Sequence, residues 1–148
     1  MGILNKPEGR SFESKVFAEI TVKNAADITL ARKGQLSEKE IRSVTLKALV
    51  DTGATTLIIN DEICSQLGLE TIRTRTANLA GGGKGQCKET EAVQIQWKDR
   101  FVTINAIAFP EGQPLLGVIP LEYMDLMINP VTQELTGVHG DQQVFMAM

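Results

Sequence analysis

The sequence predicts an all-β fold, a barrel or sandwich with two short helices. Short segments in which apolar and polar residues alternate, about ten in all, recur along the chain. Turn-forming Gly, Pro, Asn and Asp residues separate them. At 148 residues the chain can form one domain with a real core but not two ordinary domains. We therefore expect a flexible leader over residues 1–14 and a single domain over residues 15–148.

The first half of the chain is predicted to contain three strands and one helical turn. Apolar and polar residues alternate over residues 16–22 and 44–50, and a shorter apolar stretch covers residues 55–59. Residues 24–27 break the first strand, and the segment that follows has no clear pattern. Ser37 and Glu40 have the spacing of a capping box, which predicts at most one turn of helix between strands.

A short helix is predicted between Asn60, a suitable N-cap, and Gly68, a suitable residue just past a helix end. Cys64 lies on the apolar face of this helix. We interpret it as a core residue rather than a nucleophile, because no positioned base accompanies it. Cys64 and Cys87 lack metal-type spacing, so we expect reduced thiols in a cytoplasmic protein and neither a metal nor another cofactor.

A glycine-rich hairpin is predicted in the middle of the chain. A polar strand over residues 72–79 leads into four glycines within residues 80–85, and apolar residues alternate again over residues 93–97. The glycines form either a plain flexible turn or a tip whose backbone can approach a ligand closely. A phosphate loop is a weaker alternative, because Lys84 is followed by Gly85 rather than Ser or Thr.

The last third continues the β pattern. A strand is predicted over residues 101–109, a short apolar run at residues 115–117, and a helix that begins with proline over residues 120–124. A buried strand over residues 126–128 is expected to pair with residues 134–135. The net charge of −3, with both signs mixed, gives no reason to expect nucleic acid or a membrane surface as a partner.

The stretch over residues 48–56 is the strongest candidate for chemistry. Asp51 stands at the end of a predicted strand, and Gly53 can adopt backbone angles that other residues avoid. Burying a carboxylate is costly unless it is hydrogen-bonded or shares a proton. The pattern Asp-x-Gly is also ordinary turn chemistry, so the tripeptide needs support from the rest of the chain.

That support comes from a resemblance. The motif resembles the active-site sequence of aspartic proteases in its retroviral form, Val50-Asp51-Thr52-Gly53-Ala54. A later run resembles the second signature of that fold, Leu115-Leu116-Gly117, and the glycines at 81–83 fall where retroviral proteases carry a flap. The layout is most similar to small bacterial and archaeal single-domain aspartyl proteases of the retropepsin type. One departure is that Val118 and Ile119 stand where the viral enzymes have Arg followed by Asp or Asn.

The resemblance implies a retropepsin-like acid protease half-barrel with one or two short helices. It implies Asp51 as the catalytic residue of an aspartic endopeptidase, with active-site support from Thr52, Gly53 and Ala54. It assigns the flap and substrate contacts to Ala80, Gly81, Gly82 and Gly83. It gives Leu115, Leu116 and Gly117 a structural role.

The mechanism of this family requires two carboxylates that share one proton, and the chain has a single Asp-Thr-Gly. A working site therefore needs two chains, and the simplest solution is a symmetric homodimer acting on a peptide or protein substrate. The alternative is a catalytically silent dimerisation or peptide-binding module with the same fold.

Overall fold

Nine strands, three short α-helices and one 3-10 turn make up the part of the chain that the computed structural model describes, residues 15–79 and 81–144. The strands are β1 (Phe17–Asn24), β2 (Ser43–Val50), β3 (Leu57–Asn60), β4 (Thr71–Asn78), β5 (Lys84–Trp97), β6 (Arg100–Phe109), β7 (Leu115–Leu116), β8 (Leu126–Asn129) and β9 (Glu134–Gly137). The helices are α1 (Ala25–Arg32), α2 (Asp61–Gln66) and α3 (Val118–Tyr123), and the 3-10 turn is Glu38–Glu40. The predicted all-β class is confirmed.

Seven strands form one sheet in the order β1-β2-β7-β3-β6-β5-β4. Strand β1 also pairs with β5, so β1, β2, β7, β3, β6 and β5 close into a ring and β4 extends from it as one arm of a hairpin. The remaining strands, β8 and β9, form a separate two-stranded sheet. Closing the ring removes free strand edges and encloses a core.

The core follows the alternation that the sequence predicts. Every second side chain of β1 from Ala18 is buried, as are the equivalent side chains near the end of β2 and in the middle of β5. Because successive side chains of a strand point to opposite faces, one face of each strand fills the ring. The largest apolar side chains that are fully buried are Ile20, Leu57, Ile59, Leu67, Ile95, Leu116 and Met124.

Helix α2 confirms the prediction for this segment. The Asn60 side chain accepts a hydrogen bond from the backbone N–H of Ile63 at 2.9 Å, and Gly68 follows the helix with a positive φ of 63°. Cys64 is buried in the core cluster, and that burial raises the pKa of its thiol. The interpretation of Cys64 as a core residue is therefore confirmed.

Helix α1 is a correction to the sequence prediction, which read residues 24–27 only as the end of a strand and expected two helices at most. Asn24 ends β1 and also caps α1, since its side chain accepts from the Asp27 N–H at 3.1 Å. Asp27 is the one buried residue of this helix. The helix therefore lacks the apolar stripe by which an amphipathic helix is found in sequence.

Two of the boundaries that differ from the prediction lie beside the loop that follows Asp51. Strand β3 begins at Leu57 rather than at residue 55, and α3 begins at Val118 rather than at residue 120. Both shifts have one cause, because the backbone between β2 and β3 bonds to the start of α3. Pro120 fits inside the first turn of α3, where a backbone N–H would have no partner within the helix.

A buried arginine attaches the β8–β9 sheet to the ring. The Arg100 guanidinium donates to the backbone oxygens of Met124 at 2.9 Å and Asp125 at 2.8 Å, and also to that of Gly140. The Asp125 carboxylate contacts His139 Nδ1 at 2.8 Å. These bonds satisfy the buried charge and fix the end of α3 against the first residue of β6.

A second buried charge fixes α1. The Asp27 carboxylate accepts three hydrogen bonds from Arg42, from its backbone N–H, its Nε and its Nη2, each at 2.9 Å. The bonds to the Arg42 side chain are the largest cause that holds the pKa of Asp27 below its ordinary value of 3.8. This stabilisation is therefore fully present above the unfolded-state pKa and is lost as the pH falls through the folded-state pKa.

We predict that Asp27→Asn lowers the free energy of unfolding at pH 7 by about 1–2 kcal/mol, a value reduced because the Arg42 side chain is half exposed. Urea unfolding of both proteins at pH 7 and at pH 3 measures the effect, which should shrink at the lower pH. Asp99→Asn, in the exposed turn between β5 and β6, is the matched control and should change stability little. An equal loss at both pH values would contradict the assigned ion pair.

Candidate active site

Asp51 directly follows β2, and backbone bonds on both of its sides fix its position. Its backbone N–H donates to the backbone oxygen of Leu116 at 3.0 Å, and its backbone oxygen accepts from the Ala54 N–H at 3.0 Å. The Gly53 N–H donates to Asp51 Oδ1 at 2.9 Å. The carboxylate is thus oriented by a neighbouring amide, while the side chain itself remains half-buried.

Strand β7 brings the backbone oxygen of Leu116 within hydrogen-bond distance of the Asp51 N–H. Its two residues insert between β2 and β3, parallel to Leu49 and Val50 and antiparallel to Leu57 and Ile58. Leu116 is fully buried there. The second predicted motif therefore lies beside the first, and its apolar side chains support the strand end that carries Asp51.

The loop between Asp51 and β3 is bonded to the start of α3. The backbone oxygens of residues 54, 55 and 56 accept from the N–H groups of Val118, Ile119 and Gly117, each at 2.9 Å. The first N–H groups of a helix have no partner within it, so the loop satisfies donors that would otherwise be unpaired. We call this set of three bonds the loop–helix clamp.

Gly117 is required by this geometry. A Cβ atom there would lie 2.4 Å from the Thr56 oxygen and 2.6 Å from the Ala54 oxygen, well inside van der Waals contact. Gly53 is also tight, because a Cβ atom there would lie 3.1 Å from Asp51 Oδ1. Both glycines allow backbone to approach the site closely.

A cleft of about 970 Å³ opens beside Asp51. Its lining includes the loop that follows Asp51, Ile104 and Ile107 of β6, and residues 111–113 before β7. Residues 75–79, from β4 and the residue after it, also line the space, and we call this part of the lining the β4 wall. A groove between a strand and a carboxylate is suited to an extended peptide, since a strand offers backbone partners along its length.

The β4–β5 hairpin has the predicted turn, but the cleft wall is formed by the strand before the glycines. Gly82 and Gly83 have positive φ values of 94° and 77°, and the turn leads directly into β5 rather than into a helix. Ala80 lies outside the described residues. The flap assignments of Ala80, Gly81, Gly82 and Gly83 therefore stay predictions, while the cleft is lined by Arg75 to Leu79.

The other predicted site residues take these positions. Ala54 and Gly53 line the cleft, and Thr52 is exposed in the single chain. The active-site support assigned to Thr52 stays a prediction. Sequence reasoning missed Arg75, Glu89 and Asn105 as cleft-lining residues. The position of the glycine turn indicated part of this cluster. Asn78 and Lys84 are each three residues from Gly81 and pair with each other, and the same register places Arg73 opposite Glu89.

Residues 15–79 and 81–144 contain no cluster of three or more His, Cys, Asp or Glu side chains that could hold a metal ion. Within the same described part, no helix is long and apolar enough to cross a bilayer.

A family model described as "gag-polyprotein putative aspartyl protease" matches residues 37–122. Among solved structures, the EIAV protease complexed with the inhibitor HBY-793 has a TM-score of 0.52 at 17% identity, over 78% of this chain and 92% of that chain. The solution structure of the simian foamy virus (mac) protease has a TM-score of 0.44 at 18% identity, over 74% and 93%. No curated protein matches at a significant level. At such identities the first likeness confirms the retropepsin-like fold and nothing finer.

We predict that Gly117→Ala lowers the free energy of unfolding by at least about 2 kcal/mol, because the added methyl group would displace the clamped oxygens of residues 54 and 56. Thermal and urea unfolding measure the loss. Gly81→Ala is the matched control, since a Cβ atom there meets nothing within 4 Å. Equal stabilities of the two variants would show that the loop accommodates the methyl group and that the clamp is not tight.

Proposed function

The chain belongs to the gag-polyprotein aspartyl protease family, and from that premise we propose that it is an aspartic endopeptidase that acts as a homodimer. One observation carries the proposal. The Asp51 carboxylate stands at a cleft open to solvent and accepts from the Gly53 amide, and the Leu116 carbonyl fixes the Asp51 backbone. A carboxylate that served only to close a turn would have no need of a groove for an extended ligand.

The single chain supplies half of the required chemistry. Hydrolysis of a peptide bond by carboxylates needs one base to activate water and one acid to polarise the carbonyl. Asp-Thr-Gly occurs once in the sequence, and the other aspartates lack a following Thr-Gly or Ser-Gly: Asp27, Asp61, Asp99, Asp125 and Asp141. A twofold axis beside Asp51 would bring two copies together, and two like charges at about 3 Å would share one proton.

The proposed reaction proceeds without a cofactor. One ionised Asp51 takes a proton from water as the oxygen attacks the substrate carbonyl carbon. The protonated Asp51 of the partner subunit donates to the carbonyl oxygen, so a tetrahedral diol forms. The first Asp51, now protonated, donates its proton to the amide nitrogen as the C–N bond breaks. A hydroxyl of the diol returns its proton to the partner's Asp51, so a carboxylic acid and an amine leave and the pair again holds one proton. The Gly53 amide keeps the carboxylate oriented throughout.

The substrate is a peptide or protein segment in extended form, which lies between the Asp51 loop and β4. We propose no nucleic acid or membrane partner, and the cytoplasm as the compartment. Cys64 and Cys87 are both free and buried, which is consistent with a reducing environment.

A silent dimerisation or peptide-binding module is the second candidate. The observation that favours it is the apolar pair Val118 and Ile119, which follows Gly117 where the viral enzymes have Arg followed by Asp or Asn. Both side chains are half-buried, and their N–H groups belong to the loop–helix clamp. The clamp consists of backbone bonds and therefore forms without the polar side chains of the viral motif. If those side chains help to pair two chains in the viral enzymes, other groups must do so here.

We predict that Asp51→Asn abolishes cleavage of a randomised fluorogenic peptide library, by at least about a thousandfold in rate, without unfolding the protein. The amide retains an Oδ1 atom that can accept from the Gly53 N–H, so the fold should survive. Circular dichroism and thermal unfolding check the fold. Undiminished cleavage by the purified variant would remove Asp51 from the mechanism.

We also predict that adding the Asp51→Asn variant to wild-type protein lowers wild-type activity. At equal amounts and with free exchange, half of the wild-type chains pair with an inactive partner, so activity should fall to about half. Asp99→Asn, outside the cleft, is the matched control and should not inhibit. Unchanged activity while a mixed dimer is detected by native mass spectrometry would contradict a shared site.

A further inference from the structure

Two arginines on β4 share one glutamate on β5. Arg73 and Arg75 are two residues apart and therefore point to the same side of the strand. Arg73 Nε lies 2.8 Å from Glu89 Oε1, whereas Arg75 Nη1 lies 3.4 Å from the same oxygen. The second contact is the longer of the two, so Arg75 is the more weakly held guanidinium.

Glu89 is satisfied without Arg75. Its Oε1 accepts from Arg73, and its Oε2 accepts from Asn105 Nδ2 at 3.1 Å. The bond from Asn105, followed by that from Arg73, lowers the pKa of Glu89, so this carboxyl is ionised at neutral pH. Its side chain is 13% exposed, which leaves little surface for a further partner.

Arg75 has the opposite character. Its side chain is 55% exposed, and it lines the cleft beside Asp51, whereas Arg73 is not among the lining residues. A guanidinium has five N–H donors, and the contact to Glu89 uses one of them. Arg73 neutralises Glu89, so Arg75 contributes one excess positive charge to this part of the lining, while Asp51 and Glu111 are the other acidic residues of the cleft.

We propose that Arg75 selects substrates that place an acidic side chain, Asp or Glu, against the β4 wall of the cleft. The proposal rests on the proposed function and names the substrate class of that same site. A planar guanidinium binds a carboxylate through two parallel N–H bonds, which gives geometric as well as charge selectivity. Binding of a basic substrate side chain to the Glu89 carboxylate is less favoured, because its two oxygens already accept hydrogen bonds from Arg73 and Asn105.

The test begins with a randomised fluorogenic peptide library, which identifies a cleaved sequence. Two versions of that sequence are then made, and they differ only in having Glu or Gln at one position. For wild-type protein we expect kcat/KM to favour the Glu peptide by about tenfold. Arg75→Gln should bring the ratio close to one, and Arg75→Glu should reverse it in favour of a Lys peptide. A merely structural role for Arg75 would change both peptides equally and leave the ratio unchanged.

Lys84→Gln is the matched control, because Lys84 lies exposed on the same hairpin but does not line the cleft. It removes one positive charge and should leave the Glu-to-Gln ratio as in wild type. Wild-type cleavage with no acidic preference, or with a preference for Lys or Arg, would overturn the proposal while the proposed function stands.

Absence of any wild-type cleavage would count against the proposed function, and a second measurement then decides on Arg75. Immobilised Asp51→Asn protein is used to capture peptides from the same library, with and without Arg75→Gln, and the bound peptides are sequenced by mass spectrometry. Enrichment of Asp and Glu that disappears with Arg75→Gln supports the proposal. Equal composition of the two captured pools overturns it.

Discussion

The loop–helix clamp is the interaction on which the site depends. Three backbone oxygens of residues 54–56 accept from three N–H groups at the start of α3, in a part of the chain more than fifty residues further on. Each group satisfies the hydrogen-bonding requirement of the other, since a loop carbonyl and a helix-terminal amide both need a partner when they are removed from water. The clamp also places β7 between β2 and β3, and β7 supplies the carbonyl that holds the Asp51 backbone. The direction of the carboxylate is thus a consequence of the ring being correctly assembled.

Local patterns were sufficient for most of the strands. Alternation along β1 and β2, the cap and stop residues of α2, and the glycine turn between β4 and β5 each depend on neighbours in sequence, and each was predicted from them. Helix α1 was missed because its one buried residue is a charged Asp27 that pairs with Arg42. The starts of β3 and α3 were misplaced because the clamp, a contact between distant residues, sets both boundaries. Periodicity reports burial on one face of an element and contains no information about such contacts.

The position of Asp51 at a strand end could be predicted, since strand, turn and acid are adjacent in sequence. The walls of its cleft could not, because they come from β4, β6 and the segment before β7. The cluster of Arg75, Glu89 and Asn105 requires both a hairpin register and the packing of β5 on β6. The second carboxylate of the proposed mechanism belongs to another molecule. Within one sequence its only trace is the lack of a second Asp-Thr-Gly.

Strand β4 has a consequence for how the protein behaves in concentrated solution. It is the end strand of the seven-stranded sheet, and the other end is closed by the pairing of β1 with β5. An open edge is a template for uncontrolled pairing between molecules unless charge or shape protects it. Here Arg73 and Arg75 make β4 a poor partner for a second identical edge, since like charges would meet across it. Arg75, the residue proposed to set the selectivity of the cleft, would therefore also protect the protein from aggregation, so changing it for specificity also puts solubility at risk.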